Sequence, residues 1–237
     1  MIKMKRMLTL LAFVTVLALT IGGCTPIAQE PNLPADNPEP LPEPEPEPTE
    51  PDPYLILVNA DNPLVGDLEL ELKTIQGNFK LEEKAADAYL QMKEAAKADG
   101  ISLLVVSAHR PVATQERLYK NKVQEYVNKG YSETEAATVA ATIVARPGTS
   151  EHHTGLAVDI VTPDFQRLVA AFADTPAGRW LAANAHKYGF VLRYPKDKTD
   201  ITGIIYEPWH FRYVGLEHAQ YMYENNLCLE EYLSLID

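Results

Sequence analysis

The chain has 237 residues, a formal charge of −12 and only two cysteines, Cys24 and Cys228. So acidic a chain lacks the basic surface that neutralises phosphates, which excludes nucleic acid as a partner. Cysteine this sparse excludes a disulfide-stapled scaffold, so any stable domain must rest on a hydrophobic core.

At the N-terminus Lys3, Lys5 and Arg6 precede an apolar run from Leu8 to Ile21, followed by Gly22-Gly23-Cys24. A basic region, a short apolar region and small residues describe a secretory signal. This run of 14 residues falls short of the roughly 20 a membrane-spanning helix needs. Cysteine directly after Ile-Gly-Gly resembles a bacterial lipobox. Residues 1–23 are therefore expected to be a lipoprotein signal peptide and Cys24 the lipidation site. The protein would then sit on the outer face of the cytoplasmic membrane, facing the cell wall. The competing expectation is a simple secreted protein in which Cys24 is incidental.

Residues 25–53 hold eleven prolines and eight acidic residues with no Lys or Arg. Proline fixes φ and the glutamates repel, so 24–53 reads as a disordered, extended tether. At about 3.1 Å per residue it could reach roughly 90 Å. Residues 54–237 then form one domain, carrying −7 of the charge, and are expected to act as a monomer. Cys228, in an apolar helical context, reads as a small buried hydrophobe.

Within the domain, Tyr54–Val58 is a short β-rich run. Apolar residues at helical spacing mark Leu81–Asp99 as a helix stopped by Gly100. Ile101–Val106 reads as a buried strand and Val112–Asn128 as a second helix. Ser132 and Glu135 make a capping box that opens a third helix to about Val144. Leu156–Val161 is a strand, and Thr175-Pro176 starts a helix running to about Tyr188. Phe190–Tyr194 and Ile204–Val214 are strand-like, joined by the polar connection Lys196–Thr202. Leu216–Asn226 and Leu229–Leu235 are terminal helices. Helices cluster early and strands cluster around the motifs below, which implies an α+β fold with a small antiparallel sheet flanked by helices.

Chemistry concentrates in Ser150-Glu-His-His-Thr-Gly-Leu-Ala-Val-Asp159 and Glu207-Pro-Trp-His210. His152, Asp159 and His210 supply two nitrogens and one oxygen. Three such ligands with an open fourth position make a catalytic zinc site rather than a structural one. Along the strand, Ala157 and Asp159 share the site face while Leu156, Val158 and Ile160 face the core. Gly155 permits a close backbone approach. In an extended chain His153 points elsewhere and is not counted as a ligand. Pro208 keeps Glu207 out of helix, so a turn or irregular strand entry must bring Glu207 and His210 to one side. Glu207 is left over as a general base. His109, His186 and His218 fall outside the motifs and read as structural.

Ser150-x-His152-x-x-Gly155-x-Ala157-x-Asp159 with Glu207-Pro-Trp-His210 resembles the VanY-type D-alanyl-D-alanine carboxypeptidases. The likeness extends through Ser107–Pro111, Gln115, Gly189–Pro195, Thr202-Gly203 and Phe211–Gly215, covering nearly all of 54–237. It implies a Hedgehog/DD-peptidase fold with one Zn²⁺ on His152, Asp159 and His210, and Glu207 as catalytic base. It also implies a cationic site residue at Arg110, catalytic by holding the oxyanion or gripping the substrate carboxylate. Gln115 and Ser150 are expected to hydrogen-bond the peptide, and Trp209 to wall the pocket or pack in the core. The implied substrate is the C-terminal D-alanine of peptidoglycan stem peptides. Two alternatives stand beside it: an L,D-carboxypeptidase acting on tetrapeptide stems, and a non-catalytic, zinc-stabilised wall-binding module.

Overall fold

The computed structural model describes residues 52–236, so the expected signal peptide, Cys24 and nearly all of the tether lie outside the described residues. Its centre is a four-stranded antiparallel sheet in the order β3 (Leu104–Ser107), β4 (Ala157–Val161), β6 (His210–Tyr213), β5 (Phe190–Leu192). All five residues of β4 are buried, because it is covered on both faces and flanked by strands on both sides. One face, through Leu156, Val158, Ile160 and Phe211, enters a core shared with Tyr89, Met92, Phe172 and Leu181. The opposite face carries Ala157, Asp159, His210 and Arg212.

Helix α1 (Glu83–Ala98) is capped by Glu82, whose carboxylate accepts from the amides of Lys84 and Ala85 at 3.0 and 3.1 Å. Its apolar stripe of Ala85, Tyr89, Met92 and Ala96 falls at helical spacing and is wholly buried. Helices α2 (Val112–Asn128) and α3 (Glu133–Ala141) pair with one another, tied by Tyr119 Oη donating to Ala137 O at 3.0 Å. Ser132 and Glu135 form the expected capping box, with the Glu135 carboxylate accepting from the Ser132 amide at 2.9 Å. Helix α4 (Pro176–Asn184) starts on Thr175 and passes into a 3₁₀ turn to Tyr188. After a short α5 (Thr199–Thr202), helices α6 (Leu216–Glu224) and α7 (Leu229–Ile236) close a second apolar cluster. That cluster joins Leu55, Val214, Met222, Leu229 and Tyr232, and Cys228, just before α7, is buried as a free thiol.

Several expected elements differ. Tyr54–Val58 is not a strand: Asp52 caps a 3₁₀ turn over Pro53–Leu55, and the chain then runs extended. Its carbonyls at Tyr54 and Ile56 accept from Arg212 Nη2 at 2.9 and 2.8 Å, which takes them out of any ladder. Of Ile204–Val214 only His210–Tyr213 pairs, because Gly203 at φ +72° and the Pro208 turn interrupt what precedes it. The polar connection contains α5, closed by that same glycine. Strands β1 (Leu72–Gln76) and β2 (Phe79–Glu82) pair as a hairpin that no expected strand covers. Only Ile75 and Leu81 of it are buried, too few for a clear alternation.

Gly155 sits at φ +70°, and a Cβ there would lie 3.1 Å from the Glu82 amide and 3.3 Å from the methyls of Leu70 and Leu72. Its carbonyl accepts from that amide at 2.9 Å, seating the hairpin end against the turn that leads into β4. Gly155→Ala should cost about 1–3 kcal/mol, combining left-handed strain with crowding. Urea unfolding monitored by circular dichroism checks it, and an unchanged midpoint at an unchanged slope would contradict the role.

Candidate metal centre

Strand register builds the site. Ser107 on β3 lies opposite Asp159 on β4, which lies opposite His210 on β6. Opposed residues in a sheet point to the same face, so these three side chains form a row across neighbouring strands. His152 joins the row from the 3₁₀ turn Glu151–Thr154, which Gly155 ends in the left-handed conformation. The turn is pinned to the loop after β3, where Arg110 N donates to His152 O at 3.0 Å.

Ligand atoms of His152, Asp159 and His210 all lie within 4.8 Å of one another, and all three residues are buried. His152 Nδ1 sits 2.9 Å from Ala108 O, so it carries the proton and Nε2 is left to face Asp159 Oδ2 at 3.3 Å. His210 approaches with its other nitrogen, placing Nδ1 3.0 Å from Asp159 Oδ1. The two imidazole rings meet edge to face with centroids 5.0 Å apart.

The electrostatics favour positive charge at this point. Burial opposes the charge on His210, but the hydrogen bond to Asp159, the nearby Glu151 carboxylate and the charge of Asp159 outweigh it and raise the imidazole to about 9. Burial also works against the Asp159 carboxylate, yet the two histidines hold it well below the usual carboxylate range. Burial, with Arg110 nearby, lowers His152 to about 4 and keeps it neutral, as a ligand must be. Two imidazoles and a carboxylate with ligand atoms gathered this closely are a donor set Zn²⁺ takes.

The turn at Glu207 closes with His210 N donating to Glu207 O at 3.1 Å, and Glu207 N donates to Tyr194 O at 3.2 Å. The expected turn is thus present, and it puts Glu207 Oε2 3.8 Å from His210 Nδ1. Burial and the Asp159 charge raise the Glu207 carboxyl to about 8, against the pull of His210 and Arg110. Arg110 Nη1 donates to Gln115 Oε1 at 2.6 Å and Nη2 to Ser107 Oγ at 2.9 Å. Burial pulls this guanidinium down from its ordinary value, against the charges of Asp159 and Glu207. Among the described residues no carboxylate pairs with it directly, so a largely buried cation faces the cleft on neutral partners.

A cleft of about 800 Å³ opens over these groups, lined among others by Arg110, Gln115, Ser150, Tyr194, Glu207 and Trp209. Gln115 is 1% exposed and has a second task, since its amide also donates to Ala145 O at 2.6 Å and so fixes the Arg110 fork. Ser150 reaches the cleft without capping its own turn. Trp209 both lines the cleft and belongs to the core. His153 is buried but turned away, accepting from Gly148 N at 3.3 Å and lying 2.7 Å from Arg110 O. His186 stacks on Tyr223, and His218 bridges Tyr232 and Asp52.

Sequence reasoning missed a buried charge group beneath the row. Glu151, Arg193 and Arg212 are each at most 1% exposed. Arg193 Nε and Arg212 Nη1 donate to Glu151 Oε1 at 2.6 and 2.8 Å, and Arg193 makes a two-pronged pair with Glu230 at 2.8 and 2.7 Å. The alternation that turns His210 inward turns Arg212 inward too, and a buried arginine demands a carboxylate. That signal was in the sequence.

The profile of the VanY D-alanyl-D-alanine carboxypeptidases matches residues 78–216. The chain belongs to the VanY family. A D-alanyl-D-alanine carboxypeptidase of Enterococcus faecalis (strain ATCC 700802 / V583) is 42% identical over 180 residues, 76% of this chain and 65% of that protein. The chain thus spans just under two thirds of that relative. Among solved structures, the vancomycin-resistance D,D-pentapeptidase VanY from a VanB-type cassette, a glutamate-to-alanine mutant in complex with Zn(II), is 41% identical with a TM-score of 0.69. That match covers 76% of this chain and 99% of the solved one. The LD-carboxypeptidase LdcB is 38% identical with a TM-score of 0.62, over 76% of this chain and 86% of its own. With such VanY and LdcB neighbours, the α+β fold with its small antiparallel sheet is the one the motifs implied.

Proposed function

We propose that this VanY-family chain is a zinc carboxypeptidase that removes the C-terminal D-alanine from peptidoglycan stem peptides ending in D-alanyl-D-alanine. The observation carrying this reading is the meeting in one cleft of the His152–Asp159–His210 cluster, the turned-in Glu207 and the unpaired cation Arg110. The zinc-bound VanY neighbour supports Zn²⁺ as the cofactor, and His152, Asp159 and His210 would hold it. Bound zinc supplies a Lewis acid and lowers the pKa of water to about 7. The charge of bound zinc would favour the ionised form of Glu207, which as a carboxylate takes the proton from the attacking water and returns it to the departing amine. Arg110 holds the negative charge that develops on the scissile carbonyl or grips the terminal carboxylate, on a fork fixed by Gln115 and Ser107. Ser150 hydrogen-bonds the peptide, Gln115 acts on it through the Arg110 fork that it holds, and Trp209 walls the cleft. A wall-binding module without catalysis would have no use for a carboxylate placed as Glu207 is.

The LdcB likeness favours one second reading, release of D-alanine from tetrapeptide stems. The two substrates differ in the penultimate side chain, a methyl against a long amino-bearing chain. Matched pentapeptide and tetrapeptide muropeptides should give faster D-alanine release from the pentapeptide; preference for the tetrapeptide would move the assignment to L,D cleavage. Glu207→Ala should cut turnover by about 10²–10⁴-fold while zinc stays bound. Undiminished turnover would remove Glu207 as base.

The signal-like N-terminus and Cys24 support a lipid-anchored enzyme on the outer face of the cytoplasmic membrane, a monomer held on a Pro/Glu-rich tether. Chains on one cysteine contribute about 0.8 kcal/mol per buried CH₂. In cells expressing the full chain, Cys24→Ser should move the protein from the membrane fraction to the soluble or secreted one. Membrane retention by that variant would contradict lipidation at Cys24.

A further inference from the structure

Two buried polar atoms at the centre lack a hydrogen-bond partner, His210 Nε2 and Glu151 Oε2. They face each other across 3.5 Å. A buried imidazole N–H and a buried carboxylate oxygen are each costly to leave unmatched, and a small closure of this gap satisfies both. The gap is aligned with the ligand geometry. His210 presents Nδ1 to Asp159, so an imidazole ligating through Nδ1 carries its proton on Nε2, where Glu151 waits.

Glu151 is itself immobilised. Its second oxygen accepts from both Arg193 and Arg212. Arg193 is gripped by Glu230 of α7, and Arg212 reaches the carbonyls of Tyr54 and Ile56. Two arginines and two glutamates balance their charges in a volume that admits no water to any of the arginine or Glu151 side chains, all 0% exposed. Tyr54, Ile56 and Glu230 all lie outside the span matched by the family profile, which covers 78–216. The segment before the hairpin and the last helix are therefore drawn into the support of the centre.

We propose that Glu151 is a positioning residue that accepts from His210 Nε2–H and so fixes the ring for ligation through Nδ1, with Arg193, Arg212 and Glu230 as its clamp. The inference rests on the metal-centre reading above. An anionic acceptor on a ligating imidazole orients the ring and raises its basicity, and losing one costs about 10–100-fold in metal affinity.

The test uses zinc affinity by chelator competition, read beside long-range ¹⁵N NMR of the histidines in the zinc-loaded protein. Glu151→Gln keeps the volume and loses the anion, and should weaken zinc by about 10–100-fold. Glu230→Gln, at the rim of the clamp, should weaken it less and in the same direction. The NMR spectrum of the unmutated protein should show His210 bound through Nδ1 with a protected Nε2 proton, a readout that holds even if Glu151→Gln fails to fold. Cobalt-substituted Glu151→Gln should show shifted visible bands, which a remote structural role would leave unmoved. Ligation of His210 through Nε2, or unchanged zinc affinity in Glu151→Gln, overturns the proposal while sparing the metal centre. An unmutated protein that binds no zinc overturns both.

Discussion

Three neighbouring strands held in antiparallel register set everything else at the site. Because Ser107, Asp159 and His210 oppose one another in turn, their side chains must rise from one face at strand spacing. One residue of slip would send Asp159 into the apolar core and bring Val158 to the metal. The core prevents it, since Val158, Ile160 and Phe211 are each at most 1% exposed on the other face. Hydrophobic packing on one side of the sheet thus fixes polar geometry on the other. Ala157, opposite Arg212, leaves the room a buried guanidinium needs.

The second layer is electrostatic. Placing Arg193, Arg212, Glu151 and Asp159 out of water is expensive, and removing one partner of such a set generally costs about 3–5 kcal/mol. Buried ion pairs often stabilise a fold no better than well-packed apolar residues do; what this set does is orient the Glu151 carboxylate. The arginines hold the Glu151 carboxylate far below its usual range against its complete burial. It therefore remains an acceptor throughout the range in which histidine titrates. Arg110 differs: its partners Ser107 and Gln115 are neutral, so its charge is left for something entering the cleft. One buried cation set is consumed internally and the other is kept open, which separates scaffold from working group.

Much of this was legible in the sequence, for identifiable reasons. Helix α1 carried clean apolar spacing and a glycine stop, and α3 its capping box. The metal motifs are short and locally determined: a 3₁₀ turn, a left-handed glycine, a strand, and a proline-bent turn. What stayed hidden depends on partners distant in the chain. Tyr54–Val58 has the composition of a strand, but its carbonyls are claimed by Arg212, which no local rule reveals. The hairpin β1–β2 buries too little for its alternation to stand out. Arg193 and Glu151 read as ordinary polar residues until the fold brings them together, although inward-facing Arg212 on β6 gave a hint. The preference between D,D and L,D ends lies in the loops around the cleft, whose conformations follow no spacing rule.

A working site needs one cation held by His152 Nε2, a carboxylate oxygen of Asp159 and His210 Nδ1 together. Diffraction from crystals of the zinc-loaded protein, recorded on both sides of the zinc edge, locates that cation directly. A single anomalous peak about 2.0–2.2 Å from those three atoms, with Glu207 facing its open side, is the predicted result. A zinc peak elsewhere, or ligation that leaves out Asp159 or either histidine, would contradict the account.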